Sequence, residues 1–509
     1  MKKNMLAGFL CLLYTSLLGL GVGPVYLRQM GTEAYGLIGF FAVMQSGFSL
    51  LDLGFSMAMQ RETARYWSSV LDAPAWHRTY RALSWTVAGC LLLVTLLIAL
   101  FAHSIAEHWL QSQQMALEEV VQAVQIMAAC AALRFASNFQ KNVLAGSERM
   151  VTLAIFRCVI ASFSFVGVFA AMDLWGATVK VFFLYQLVLA IIECAGWIIL
   201  SRRTMPAIPP TATTQRPQRL QDRLPLLPSL SVSLALTSTL SLLITQFPKF
   251  FLSGLLDLHT FAYVALAVLV SNGISLMEQT LCSVFRPRLV YLHAQGNEQQ
   301  QRAIYFQSTQ WMTAFVLIPS LVMALFALPL VLAWTGDAQV AAQVAPVLRL
   351  YALGNGLLAL ARLSYALQYA EANLRLHVIG DLLFMLLVLP ATYWATGAQG
   401  GVGAGAVWLA CSGLYLLLWS AWTHRLLMPR QHLRWLWHGI VRLLLLPCLA
   451  LGGIWLWMEM VQQPQSRTAA AMWLLLASAL SMGLAVLLLD GAWQSGLRFW
   501  HRYTPGVAK

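Results

Sequence analysis

Fourteen apolar stretches of membrane-spanning length fill this chain and leave little room for a water-soluble domain. A helix of about 20 apolar residues crosses the ~30 Å hydrocarbon core of a bilayer. Of the 509 residues, 59% are hydrophobic and 10% are charged, whereas about a quarter of the residues in a soluble domain are charged. We therefore predict an all-α polytopic membrane protein with spans near residues 5–27, 36–60, 82–104, 116–140, 151–172, 178–200, 229–252, 259–283, 310–334, 343–367, 374–396, 402–423, 438–459 and 469–490.

The basic residues fall almost entirely in alternate loops. Short loops rich in Lys and Arg stay in the cytoplasm, and the loops on the opposite side carry little besides Arg28, Lys180 and Arg467. This pattern predicts that both termini are cytoplasmic, which requires an even number of crossings. Basic loops that face anionic lipid headgroups account for the net charge of +13 without a nucleic-acid partner.

A segment rich in Pro and Arg divides the predicted spans into two blocks. We predict an N-terminal six-helix bundle over 1–200, a basic cytoplasmic linker over 201–228, a C-terminal six-helix bundle over 229–424, and helices 13 and 14 with a cytoplasmic tail over 425–509. The blocks resemble each other weakly at a spacing of about 224 to 228 residues, as Pro24 and Pro248 illustrate. Such duplication predicts a parallel pseudo-repeat around a central cavity.

Charged side chains inside the spans are the candidate functional residues. Each costs about 2.5 to 3.5 kcal/mol at the bilayer centre, so most should face a wet cavity or one another. The intramembrane charges are Asp52, Arg134, Arg157, Glu193, Lys249, Glu278, Arg349, Arg362 and Asp381.

The bases and acids suggest different roles. Arg134 and Arg157 lie a little deeper from the cytoplasmic end, which favours a position in a substrate cavity. Lys249, Arg349 and Arg362 are further cavity candidates, although a side chain near a helix end also reaches the interface or forms a structural ion pair. The carboxylates Asp52, Glu278 and Asp381 are candidates for ion coupling, the alternative being protonation or pairing with an arginine.

Motifs for other chemistry are absent from the sequence. There is no P-loop, HExxH, CxxC or GxSxG pattern, and all eight cysteines lie within apolar stretches. We therefore expect a transporter without a cofactor, a metal site or a catalytic residue.

Short motifs recur in order along most of the chain. The first covers residues 27–37 and is followed by 51–55; the later ones cover 287–296, 332–337, 348–355, 369–373 and 400–409. In order and spacing, these motifs resemble those of polysaccharide flippases of the Wzx type, which belong to the multidrug/oligosaccharidyl-lipid/polysaccharide exporter superfamily. The resemblance implies two six-helix bundles around a central cavity, with the last two helices at the periphery.

The implied activity is the transfer of an undecaprenyl-diphosphate-linked oligosaccharide repeat unit across the bacterial inner membrane by alternating access, for O-antigen, capsule or exopolysaccharide. The implied partners are this lipid-linked substrate, membrane lipids, and a periplasmic polymerase with a chain-length regulator. Functional bases of the family correspond to Arg28, Arg134 and Lys249 here. Pro248 stands where the family often has an acid, which puts ion coupling through that position in doubt.

Four alternatives stay open at this point. A multidrug or cation exporter would share the fold, but five bases against four acids in the spans favour an anionic substrate. A flippase for a lipid-linked peptidoglycan precursor fits the same features. A membrane glycan polymerase would carry a long, arginine-bearing outer loop, whereas the outer loops here are short. A structural scaffold would tolerate neutralisation of the intramembrane bases.

Overall fold

Helices account for all regular structure in the described part of the chain. The computed structural model of the protein describes residues 2–50, 52, 55–68, 72–205, 229–371, 374–461 and 466–489. Most of the predicted linker over 201–228 and the tail beyond residue 489 lie outside these ranges. We number the helices of the described residues α1 (Lys2–Met30), α2 (Thr32–Leu50), α3 (Phe55–Trp67), α4 (Ala73–Leu100), α5 (Ala102–Ser104), α6 (Leu117–Gly146), α7 (Met150–Trp175), α8 (Val179–Arg202), α9 (Ser229–Leu255), α10 (Leu258–Ala294), α11 (Glu298–Leu325), α12 (Ala327–Thr335), α13 (Ala338–Ala370), α14 (Arg375–Leu427), α15 (His432–Met460) and α16 (Arg467–Leu488).

Eleven stretches among the described residues are long and apolar enough to cross a membrane. One of them is α14, whose 53 residues exceed a single crossing. Gly400, with a φ of 59°, separates two arms of α14, each of membrane-spanning length, at the predicted loop between the spans 374–396 and 402–423. The multi-pass helical fold is confirmed, and the count of fourteen spans stays a prediction.

Two predicted spans are interrupted where the apolar pattern is continuous. The helix over the span predicted at 36–60 is interrupted, because α2 ends at Leu50 and α3 begins at Phe55. The carboxylate of Asp52 accepts a hydrogen bond from the Ser56 backbone N–H (2.9 Å), which stabilises a new helix start. The span predicted over 310–334 breaks at Phe326. Pro329 lacks the N–H that would bond the Leu325 carbonyl, so a continuous helix is disfavoured there.

The chain forms two compact units, and the first covers Met1–Ala262. In this unit α6 packs against α2, α3, α4 and α8, while α1 packs against α7. Small buried side chains such as Ala123, Ala128 and Ala131 line α6, and small residues let membrane helices approach closely.

The second unit covers Tyr263–Lys509 and is arranged around α13. The side chain of Asn355 in α13 joins two neighbours, because it donates to the Ser271 carbonyl (3.0 Å) and accepts from Trp408 Nε1 (2.9 Å). The helices α15 and α16 pack together and contact Val322 of α11 and Phe326, the residue that follows α11. The predicted domain limits stay a prediction, since the compact units divide at residue 262.

Candidate functional site

The first unit contains a polar cavity of about 470 Å³ between α1, α2, α6, α7 and α8. Four charged side chains line it, namely Arg134, Lys141, Arg157 and Glu193. Its neutral hydrogen-bonding side chains are Thr15, Ser16, Gln45, Ser49, Asn138 and Ser164. With all four charged groups ionised, three bases and one acid give this lining a net charge of +2.

Helical periodicity brings the cavity side chains of α6 together. Arg134, Asn138 and Lys141 are spaced i, i+4 and i+7, so they share one face of the helix. The charge pattern of the sequence places Lys141 among the basic residues of a cytoplasmic loop, and it gives Glu193 no site role. The i, i+4, i+7 spacing from Arg134 is the signal that identifies Lys141, whereas nothing in the sequence pairs it with Glu193 on α8.

Arg134 is held by neutral partners. Its guanidinium donates to Gln45 Oε1 (3.2 Å), Gln186 Oε1 (2.5 Å) and Ser164 Oγ (3.4 Å). It also lies 5.3 Å from the centre of the Phe41 ring, a cation–π contact. Its buried Nε makes no hydrogen bond within the described residues. These partners fix the position of the guanidinium without cancelling its positive charge.

A π-helical turn in α7 places Ser164 beside Arg134. This turn, Phe163–Gly167, leaves backbone carbonyls outside the regular helical hydrogen-bond pattern. Side chains of α8 satisfy two of them: Tyr185 donates to the Phe163 carbonyl (2.9 Å), and Gln186 Nε2 donates to the Ser164 carbonyl (3.0 Å). Gln186 therefore binds both the turn and Arg134, which ties α7 and α8 to the cavity.

Lys141 and Glu193 form the ion pair of the cavity. Lys141 Nζ lies 2.9 Å from Glu193 Oε1 and 5.4 Å from the centre of the Trp197 ring. Trp197 Nε1 donates to the same Glu193 oxygen (3.2 Å). Glu193 is buried and Lys141 is a quarter exposed, so the carboxylate is held more firmly than the ammonium group.

Arg157 is the most open of the three bases. Arg157 is exposed and lines the cavity. It makes no hydrogen bond or ion pair within the part of the chain that the structure describes. Its donors are available to a ligand. The cavity thus combines one fixed cation, one paired cation and one open cation.

The remaining predicted cavity bases lie outside this cavity. Arg28 is exposed near the end of α1, and Arg349 is exposed on α13. Lys249 on α9 donates to Gln246 Oε1 (3.3 Å). Their roles as cavity residues stay predictions.

In the second unit, Arg362 lies near a predicted coupling acid. It is 3.8 Å from Glu278, and both are remote in sequence from the cavity helices. Asp381 lies 3.4 Å from His377 and accepts a hydrogen bond from Tyr415 (3.4 Å). Asp52 caps α3, as described above. Ion coupling through any of these acids stays a prediction.

Several solved structures of transporters and flippases resemble this fold. The fold resembles a lipid II flippase, MurJ, in an inward-closed conformation, with 12% identity, a TM-score of 0.69, and coverage of 96% of this chain and 99% of that one. It also resembles an inward-facing multidrug resistance MATE family transporter of the MOP superfamily, with 13% identity, a TM-score of 0.60, and coverage of 82% and 94%.

A MATE transporter from Vibrio cholerae gives a TM-score of 0.51 at 14% identity over 83% of this chain and 95% of that one. No curated protein matches the sequence. Residues 1–293, more than half of the chain, match the family described as polysaccharide biosynthesis protein. This multi-pass membrane chain, with the fold of flippases and exporters of the MOP superfamily, therefore belongs to the polysaccharide biosynthesis protein family.

Proposed function

We propose that the protein transfers an undecaprenyl-diphosphate-linked oligosaccharide from the cytoplasmic to the periplasmic leaflet of the bacterial inner membrane. The observation that carries this proposal is the cavity of the first unit, with its net charge of +2 and its hydroxyl and amide lining. The family, whose description names polysaccharide biosynthesis, agrees with a glycan cargo.

The chemistry of the cavity suits the headgroup of such a lipid. Guanidinium groups bind phosphate oxygens with strong charge-assisted hydrogen bonds, and Arg134 and Arg157 provide two of them. Neutral side chains such as Asn138 and Ser49 offer donors and acceptors for sugar hydroxyls. A polar path spares the headgroup the cost of entering hydrocarbon, while the polyprenyl chain stays in lipid. Alternating access of the two leaflets to this path completes the proposed cycle.

A flippase for a lipid-linked peptidoglycan precursor is the second candidate. The fold similarity to a lipid II flippase over 96% of the chain favours it. A cation exporter is less suited, because a cavity with net positive charge repels a cationic drug. A glycan polymerase is disfavoured by the transporter fold.

The setting of the proposed transport follows from the basic loops and the family resemblance. Both termini lie in the cytoplasm in this proposal, and the product reaches a periplasmic polymerase with its chain-length regulator. Asp52, Glu278 and Asp381 stay the candidates for ion coupling.

The test measures translocation of a fluorescent undecaprenyl-diphosphate oligosaccharide in proteoliposomes. Arg134→Gln and Arg157→Gln each remove one positive charge from the cavity, so we expect each to slow translocation by about tenfold or more. Arg302→Gln is the matched control, because Arg302 forms an exposed pair with Glu298 outside the cavity; we expect close to wild-type rates.

Three outcomes would overturn the proposal. Equal rates for wild type and both cavity variants, at matched protein levels, would remove the cavity from the transport path. Efflux of organic cations without translocation of any diphosphate-linked lipid would place the protein among the drug exporters. A preference for a peptidoglycan precursor over oligosaccharide repeat units would establish the second candidate instead.

A further inference from the structure

Glu193 is an unexpected residue in a cavity proposed to bind an anion. It is the one carboxylate among the described residues that line the cavity, and it is 7% exposed. A negative charge there repels a diphosphate and also occupies Lys141, the nearest base. A site optimised for affinity alone would place a neutral side chain at this position.

We propose that Glu193 is a built-in competitor of the anionic headgroup. In the empty cavity it holds Lys141; when a diphosphate enters, the ammonium group exchanges the carboxylate for phosphate oxygens. When the headgroup leaves, Glu193 and Lys141 form their ion pair again. The competition lowers affinity, which a transporter needs for release on the far side of the membrane. This inference deepens the proposed function and rests on it.

The geometry of the pair supports such an exchange. Glu193 is fixed by the hydrogen bond from Trp197, whose side chain is fully buried. The ammonium group of Lys141 has three hydrogen-bond donors and stands at the end of a flexible four-carbon stem. The Lys141 side chain is 25% exposed and lines the cavity. The ammonium group is therefore the partner that moves, and the carboxylate is the one that stays.

The other two bases are unsuited to this role. Arg134 is bound to three neutral acceptors, so no carboxylate competes for it. Arg157 makes no ion pair within the described residues. Lys141 is thus the base whose availability a neighbouring acid controls.

The chain offers a closely matched control pair. Glu278 and Arg362 in the second unit have side-chain exposures of 6% and 28%, against 9% and 25% for Glu193 and Lys141. Neither residue lines the cavity of the first unit. Glu278→Gln therefore makes the same substitution, in a pair of similar burial, outside the cavity. It is a control for diphosphate binding alone, because Glu278 is a candidate for ion coupling in transport.

The experiment measures the affinity of purified full-length protein for inorganic diphosphate by calorimetry. Glu193→Gln removes both the repulsion and the competition, so we expect binding about tenfold tighter than wild type, with the gain shrinking at high salt. Glu278→Gln should bind within about twofold of wild type. In proteoliposomes, Glu193→Gln should half-saturate at lower lipid concentration but turn over more slowly, because release is impaired.

Glu193→Asp guards against a folding defect in the first variant. It retains the charge and shortens the stem by one methylene, which weakens the hold on Lys141; we expect binding about two- to threefold tighter. Unchanged or weaker binding by Glu193→Gln, or by Glu193→Asp where the first variant does not fold, would overturn the inference.

The outcome separates this inference from the proposed function. If Arg134→Gln and Arg157→Gln weaken diphosphate binding while Glu193 variants do not tighten it, Glu193 is a structural partner and the flippase proposal stands. If the arginine variants bind diphosphate as wild type does, both proposals fall together.

Discussion

At the scale of single residues, Glu33 shows how a motif that resembles a flippase sequence stabilises the fold. Its buried carboxylate accepts hydrogen bonds from Ser112 Oγ (2.8 Å) and from the backbone N–H groups of Gln113 (3.0 Å) and Gln114 (3.0 and 3.1 Å). These residues lie in the loop before α6, next to Gln111 with its left-handed φ of 41°. Glu33 therefore ties the start of α2 to the loop that leads into α6.

Replacing Glu33 with glutamine should destabilise the protein. The amide nitrogen of glutamine cannot accept, and its oxygen makes weaker bonds than a carboxylate, so we expect a loss of about 1–3 kcal/mol. Thermal unfolding of the purified protein in detergent measures the effect. Glu298→Gln is the control, since its exposed pair with Arg302 contributes little; equal melting temperatures for the two variants would contradict this assignment.

The sequence identifies some site residues because membrane burial makes a charge conspicuous. Arg134 and Arg157 stand out among apolar neighbours, and both line the cavity. Lys141 lies near a helix end, where a base has an interfacial explanation, and its pairing depends on how α6 packs against α8. That packing is a tertiary property, so the ion pair of Lys141 and Glu193 cannot be predicted from the residue pattern of either helix alone.

At the scale of helices, α6 approaches α3 so closely that a side-chain carbon has no room. A Cβ added at Gly146 would lie 2.4 Å from the Gln60 carbonyl oxygen and 2.7 Å from Thr63 Cβ. Thr63 in turn accepts a hydrogen bond from the buried Trp76 Nε1 (3.1 Å) on α4. Gly146 therefore lets the end of α6 pack directly against α3, which is in turn hydrogen-bonded to α4.

Gly146→Ala should force α3 away from α6 and cost about 1–3 kcal/mol of stability. Gly89→Ala provides the comparison, because Gly89 lies within α4 with nothing within 4 Å of the added carbon. Alanine is the better helix former, so that variant should keep or raise the melting temperature. A Gly146→Ala protein with the melting temperature of the wild type would show that the two helices move apart without loss of stability.

Hydropathy predicts where helices cross the membrane, and it misses interruptions that do not change apolar content. The breaks at Asp52 and Phe326 lie inside apolar stretches, and so does the π-helical turn of α7. The turn depends on Tyr185 and Gln186 from another helix to satisfy its carbonyls. Such features require the tertiary neighbours, which periodicity along one segment does not contain.

At the scale of the whole molecule, the arrangement of intramembrane charges differs between the two units. The cavity of the first unit has a net charge of +2. In the second unit, Glu278 lies 3.8 Å from Arg362, and Asp381 lies 3.4 Å from His377. The lining of this cavity is therefore a local excess of positive charge.

This positive charge makes the proposed cycle sensitive to the membrane voltage. A bound diphosphate with about two negative charges leaves the loaded cavity nearly neutral, whereas the empty cavity carries its charge through the return step. Each charge moved through the full field gains about 2.3 kcal/mol per 100 mV, and an interior-negative potential pulls the empty site back towards the cytoplasm.

Collapsing a potassium-diffusion potential in proteoliposomes at constant pH should therefore slow net translocation, and Arg157→Gln should reduce that dependence. Indifference of the rate to voltage would show that the cavity charges do not move through the field. If they do move, the site that attracts the cargo is also the part of the protein through which the cell's electrical gradient resets it.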